Sequence, residues 1–114
     1  MENYLLKKII KGIKKVKAKN ITILDLRNNK YAICDYFVIC NGDSYRQVSS
    51  ICFSIEKIIK KELRENPFHI EGLKNAKWIL IDYITIVVHI FQSKIRKYYN
   101  IEKLWKNSKI LYCD

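Results

Sequence analysis

The stretch from Lys77 to Phe91 constrains the fold more than any other part of the sequence. Its β-branched and aromatic residues fall in two short runs around a polar break, the pattern of two strands joined by a tight reversal. Strand side chains alternate between faces, so Ile79 and Ile81 share one side of the first strand, while Trp78, Leu80 and Asp82 share the other. In the second strand Ile86, Val88 and Ile90 oppose Val87, His89 and Phe91. One face is aliphatic and requires a covering layer. The other mixes an indole, a carboxylate, an imidazole and a phenyl ring, which suits a surface that is partly covered or that meets a partner.

The cover comes from two helical stretches. Between Asn3 and Lys17 the apolar positions Leu5, Leu6, Ile9, Ile10, Ile13 and Val16 recur at helical spacing, with Lys7, Lys8, Lys11, Lys14 and Lys15 opposite. With Tyr4 as its sole aromatic anchor, this segment reads as a packing helix rather than one lying on a membrane. Ile21 to Leu26 reads as a strand closed by the turn Asn28-Asn29-Lys30, and Tyr36 to Cys40 as a second strand. At Asn41-Gly42-Asp43-Ser44 the chain passes from strand to helix. Ser44 and Gln47 have the spacing of a capping box, in which the hydroxyl takes an orphan amide and the glutamine reaches back. The helix behind it carries Val48, Ile51, Cys52, Ile55, Ile58, Ile59 and Leu63 on one stripe and ends before Pro67. Phe68 to Gly72 is a short extended piece, and a polar helical stretch begins near Ser93 and closes through Ile101, Leu104 and Trp105. The order α-β-β-α-(β)-β-β-α predicts a single α/β (α+β) domain, a mixed sheet with helices mainly on one face. That domain spans residues 1–106, with 107–114 as a polar tail.

A chain of 114 residues supports one core and not two. Lysines interrupt the N-terminal apolar segment, and the longest uncharged run, Tyr83 to Ser93, is too short for a bilayer, so a soluble cytoplasmic protein is expected. Cys34, Cys40, Cys52 and Cys113 form no CxxC pair, and with His69 and His89 the only histidines no metal site is expected. Reduced, buried thiols fit better. The net charge of +11 invites a nucleic-acid reading, yet it comes from 18 Lys and only 4 Arg, beside 20 Ile, 9 Asn and 8 Tyr. Those enriched types share A/T-rich codons, and arginine, the better bidentate reader of phosphates and bases, is scarce.

Three constellations bear on chemistry. The Gly42-Asp43-Ser44 turn at a helix start resembles a phosphate cradle, and in nucleotidyltransferases a comparable turn is followed by a strand carrying two metal-binding carboxylates. Here Asp82 is followed by Tyr83 and Ile84, and the second carboxylate is missing. Asp82 and His89 could pair across the hairpin as acid and base, but no nucleophile accompanies them. Asp35 reads as a turn or strand-entry residue. Binding therefore explains the mixed face better than catalysis, unless the C-terminal helix folds over Trp78.

Taken together, Asp35-Tyr36-Phe37-Val38-Ile39-Cys40, Ser44-x-Arg46-Gln47, Glu71-Gly72, Trp78-Ile79-Leu80-Ile81-Asp82-Tyr83, Val87-Val88-His89-Ile90-Phe91 and Arg96-x-x-Tyr99-x-Ile101-Glu102-x-Leu104-Trp105 resemble the ribosomal silencing factor family (RsfS, also called Iojap or YbeB). The resemblance covers roughly residues 5 to 106, with the motifs in the family's order and spacing. It implies a nucleotidyltransferase-like topology without the catalytic carboxylates, hence no enzyme activity, no cofactor and no metal. It also implies binding to the large ribosomal subunit at ribosomal protein L fourteen, a block on subunit joining and repression of translation. Alternation together with the resemblance assigns partner binding to Lys77, Trp78, Leu80, Asp82, Tyr83 and His89. Nearby ribosomal RNA is a further partner through the lysines, and a homodimer off the ribosome is left open. The alternatives from other classes are a nucleotidyltransferase-like enzyme and a general RNA-binding protein. Two departures stand out. The family's Gly-Asp in the hairpin turn is Ile84-Thr85 here, at a position where β-branching disfavours positive φ, so another turn geometry or a shifted tip is expected. The family's Gly-Asn/Thr-Ser junction is Gly42-Asp43-Ser44, which keeps the cap.

Overall fold

The computed structural model describes residues 3–113, without the side chains of residues 112 and 113. In chain order the elements are α1 (Tyr4–Lys15), β1 (Lys19–Asp25), β2 (Tyr36–Gly42), α2 (Tyr45–Leu63), β3 (His69–Glu71), β4 (Trp78–Asp82), β5 (Ile86–Gln92), α3 (Ser93–Tyr99), α4 (Ile101–Leu104) and β6 (Lys109–Cys113). They build one six-stranded sheet in the order β3-β4-β5-β2-β1-β6. β2 and β5 run parallel at its centre, and every other neighbouring pair is antiparallel.

The two faces separate as the alternation requires. Ile79, Ile81, Ile86, Val88 and Ile90 pack under α1 and α2 with Val38, Cys40, Ile51 and Ile55. α1 lies close on α2 because Gly12 faces Ile55, where a Cβ would come within 2.8 Å of the Ile55 Cα, and Ser54 Oγ donates to the Gly12 carbonyl at 2.7 Å. Both helices are capped at their N-termini, α2 by the serine its sequence indicates. Asn3 accepts from the Leu6 amide at 3.0 Å, and Ser44 accepts from the Gln47 amide at 3.2 Å. The return arm of the capping box reaches one residue further back than the usual motif, with the Asp43 amide donating to Gln47 Oε1 at 2.7 Å. On the other face Leu24, Leu26, Ile39, Val87 and Phe91 meet Ile101, Ile95 and Trp105 from the α3–α4 segment. That cover is short, and it leaves the β4 end of the face half open.

Two expectations change. Residues 109–113 are not a tail: they form β6, an edge strand paired with β1, so the folded unit extends past 106. The hairpin tip keeps the geometry that suits glycine, with Ile84 at φ 73 and the Thr85 amide donating to the Tyr83 carbonyl at 2.9 Å. This is the rare, strained form of a γ-turn. It is held from both sides, since Asp82 Oδ1 accepts the Ile84 amide at 2.7 Å and the Thr85 carbonyl accepts the amides of Asp35 and Tyr36. Cys34, Cys40 and Cys52 are free and buried, and burial pushes the Cys40 thiol up to about 12. The side chain of Cys113 lies outside the described residues. Among those residues no group of His, Cys, Asp or Glu could hold a metal ion, and no helix is long and apolar enough to cross a membrane.

Candidate docking surface

The half-open end of the sheet is built around Trp78. β4 carries it on the face away from α1 and α2, directly across from Phe91 of β5, and the two rings stack at 4.8 Å between centroids. The indole Nε1–H donates to His89 Nδ1 at 3.1 Å, and Tyr99 of α3 closes on the same ring at 5.0 Å. His89 is itself set edge-on against Phe37 at 4.5 Å, and Phe37 against Trp105 at 5.5 Å. The result is a continuous aromatic row from Trp105 to Tyr99, fixed by rings that have few rotamers to lose on binding. Beside Trp78 lies a groove of about 460 Å³ lined by Gly72, Asn75, Lys77, Ile95, Tyr98 and Tyr99. Its wall is the 72–77 loop. Gly72 sits at φ 89, and a Cβ there would stand 2.0 Å from the Trp78 carbonyl oxygen, so only glycine lets the loop close on β4. Gln92 holds the far end, its Nε2 donating to the Ala76 carbonyl at 3.1 Å and its amide to the Lys77 carbonyl at 2.8 Å.

The six residues assigned to partner binding divide in space. Trp78, Leu80 and Asp82 are half-buried on the mixed face, and Lys77 is exposed at its rim. Tyr83 leaves the set: it is 7% exposed and belongs to the core beneath α2, because its position has the parity of Ile79 and Ile81. Burial raises its phenol well above the ordinary range. His89 also leaves the exposed surface, at 4% exposure. Burial lowers its imidazole to about 4, so it is neutral near pH 7, and with Nδ1 accepting from the indole the proton sits on Nε2. It supports Trp78 from beneath. Asp82 and His89 do not pair across the hairpin, since Asp82 stands opposite Val87 and His89 opposite Leu80. Sequence reasoning missed Tyr98, Tyr99 and Ile95 as groove-lining residues.

The enzyme alternative loses its geometry. Asp43 follows β2 where Gly42 is level with Gln92, whereas Asp82 is level with Val87. Five strand residues, about 16 Å at roughly 3.3 Å each, separate the two levels, so one metal ion cannot bridge these carboxylates. Asp43 is instead engaged with Lys19 at 3.0 Å. The crevice at the carboxyl ends of the parallel strands, where open α/β sheets hold ligands, is an open cavity of about 370 Å³ whose wall is built around Arg96. Its guanidinium donates to the Asn20 carbonyl, to Asn41 Oδ1 at 2.8 Å, to Thr22 Oγ1 at 3.1 Å and twice to Glu102 Oε2. All five N–H groups are used, which leaves none for a phosphate.

Comparison with known proteins agrees with a regulatory rather than a catalytic reading. The family described as "Ribosomal silencing factor during starvation" matches residues 2–113. A ribosomal silencing factor of Halalkalibacterium halodurans is 36% identical over 101 residues, covering 89% of this chain and 85% of that protein. A mouse protein named "Mitochondrial assembly of ribosomal large subunit protein 1" is 34% identical over 73 residues, covering 62% of this chain and 32% of its own. A crystal structure of a Chromobacterium violaceum protein superposes with a TM-score of 0.85 at 31% identity, covering 93% of this chain and 88% of that one. The mixed sheet, the aromatic face and these matches lead to one assignment: the chain belongs to the ribosomal silencing factor family, whose name denotes regulation and not catalysis.

Proposed function

We propose that this protein silences translation by binding the large ribosomal subunit at ribosomal protein L fourteen, where its bulk keeps the small subunit from joining. The observation that carries this reading is Trp78, a half-buried indole pinned by His89, Phe91 and Tyr99 at the lip of an apolar groove. Such rigid aromatic anchors are the usual centre of a protein interface. Steric exclusion requires no reacting group. It requires a face that holds its partner and a body that obstructs, here about 34 × 34 × 24 Å. Trp78 and Leu80 supply apolar contact, Lys77 supplies a rim charge, and Asp82 is committed to the turn through its bond to the Ile84 amide. The large-subunit name of the mouse relative supports the choice of subunit. The protein works in the cytoplasm, where its target is.

Sucrose-gradient sedimentation of isolated subunits under joining conditions tests this. The protein should travel with the large subunit and reduce the joined fraction in proportion to its occupancy. Undiminished joining at saturating protein would refute the proposal.

A further inference from the structure

We propose that the lysine ridge on α1 and α2 contacts RNA phosphates, giving the protein a second attachment, to ribosomal RNA, from the sheet face opposite Trp78. The inference rests on the ribosome-docking reading and assigns to it the surface that would meet the RNA. Residues 3–19 carry seven lysines and no acidic residue. The basicity is not spread evenly: residues 65–92, which include β3 and β4, carry two lysines against three acidic residues, whereas residues 93–109 on the other face carry five lysines and Arg96 against Glu102.

The ridge has a defined shape. On α1, Lys7, Lys11, Lys14 and Lys15 follow helical spacing and are exposed, and on α2 Lys57, Lys60 and Lys61 do the same. The two stripes are held side by side by Glu62, whose carboxylate takes Lys8 at 2.8 Å and Lys11 at 2.9 Å and is kept at about 2 by those two ammonium groups. These exposed pairs add little stability, but they fix where the surrounding lysines stand. A basic amphipathic helix suits an anionic bilayer as well as RNA, and packing decides between them. The apolar side of α1, with Ile9 and Ile13 at 0% exposure, is spent on α2 and the sheet, and the large apolar side chains left exposed on the two helices, Tyr4, Tyr45 and Phe53, are scattered and form no stripe that could enter a lipid interface. The remaining feature is an array of exposed ammonium groups, with Arg64 at its α2 end, in which lysine far outnumbers arginine, and that suits backbone phosphate contact better than base reading.

The test uses the full chain, the variant Lys14→Gln/Lys15→Gln/Lys60→Gln/Lys61→Gln, and Trp78→Ala, each checked for native circular dichroism. Binding to isolated large subunits is measured across salt, alongside a 20-base-pair RNA duplex and vesicles of phosphatidylglycerol and phosphatidylcholine at 1:3. Losing four phosphate contacts, at a slope of about 0.7–0.9 each, means that wild-type affinity should fall roughly 50- to 150-fold more than the variant's between about 50 and 200 mM salt. Trp78→Ala should weaken subunit binding without changing the slope, and the duplex should lose the four-site variant. A folded variant that keeps the wild-type slope, or binds the duplex as wild type does, overturns the proposal. So does lysine-dependent binding to the vesicles with none to the duplex. If wild type ignores the large subunit, the docking reading fails, and the duplex arm still decides the ridge.

Discussion

Ile84→Gly should make this protein more stable, although it removes a side chain. The hairpin tip holds Ile84 at φ 73, and a residue forced into a sparsely populated region stores about 1–3 kcal/mol when its surroundings over-determine it. Here they do, through the Asp82 carboxylate on the Ile84 amide and the Thr85 carbonyl on the start of β2. Two losses oppose the gain. Glycine adds unfolded-state freedom of about 0.4–1 kcal/mol. The isoleucine is already 63% exposed, so the burial forfeited is only about 0.7 kcal/mol of the roughly 2 that full burial of such a side chain supplies. Taking about 2 kcal/mol of strain, the net is a gain of about 0.3–0.9 kcal/mol, or roughly 1–4 °C in Tm for a chain of this length. Urea unfolding followed by circular dichroism reads it as a higher midpoint at unchanged slope. Ile84→Val serves as the control, because it keeps the β-branch and the strain and should not gain. A glycine variant less stable than wild type by about 0.5 kcal/mol or more, a margin outside the usual noise of a surface change, would refute the argument that the turn is strained.

Other consequences follow from the same geometry. Gly72→Ala should destabilise strongly, because its Cβ would stand 2.0 Å from the Trp78 carbonyl oxygen at positive φ; a Tm within a few degrees of wild type would contradict this. His89 titrates at about 4 in the fold against an ordinary 6.5, so the unfolded chain binds the extra proton first as pH falls. Its contribution to stability is therefore complete above about pH 6.5 and is lost progressively down to about pH 4, on the order of 3 kcal/mol in all. Folding stability measured from pH 7 to 4 should show this drop and His89→Gln should flatten it; equal slopes would count against the buried neutral imidazole. Arg96→Lys should loosen the α3–α4 segment first, since one ammonium cannot replace a fork that serves five acceptor contacts. Hydrogen exchange at residues 95–105 should rise while α2 amides keep their protection, and uniform protection would contradict the clamp.

Much of this fold was legible because strand parity is unforgiving. A period of two alone separates the Ile79 face from the Trp78 face, and Ser44 with Gln47 marks the start of α2. Parity also held the information that moves Tyr83 into the core, five positions from Trp78 and so on the opposite face. What escaped depends on contacts distant in sequence. His89 reads as a polar residue suited to a surface, and only the cross-strand register that brings it under Trp78 reveals an internal acceptor. Tyr98 and Tyr99 gave no periodic signal, because α3 stops at Asn100 in the left-handed region and the groove gathers both rings. Arg96 gathers acceptors from β1, β2 and α4, a convergence that spacing cannot show. β6 was obscured by the polar residues before it, and Ile110-Leu111-Tyr112 was the available strand signal.

The central claim is that the face around Trp78 holds the protein on the large subunit, and the affinity of Trp78→Ala for isolated large subunits tests it most directly. Truncating a central anchor typically costs at least about 2 kcal/mol. Co-sedimentation of the folded variant should therefore show binding weakened by roughly 30-fold. Wild-type affinity in a folded Trp78→Ala protein would contradict the account.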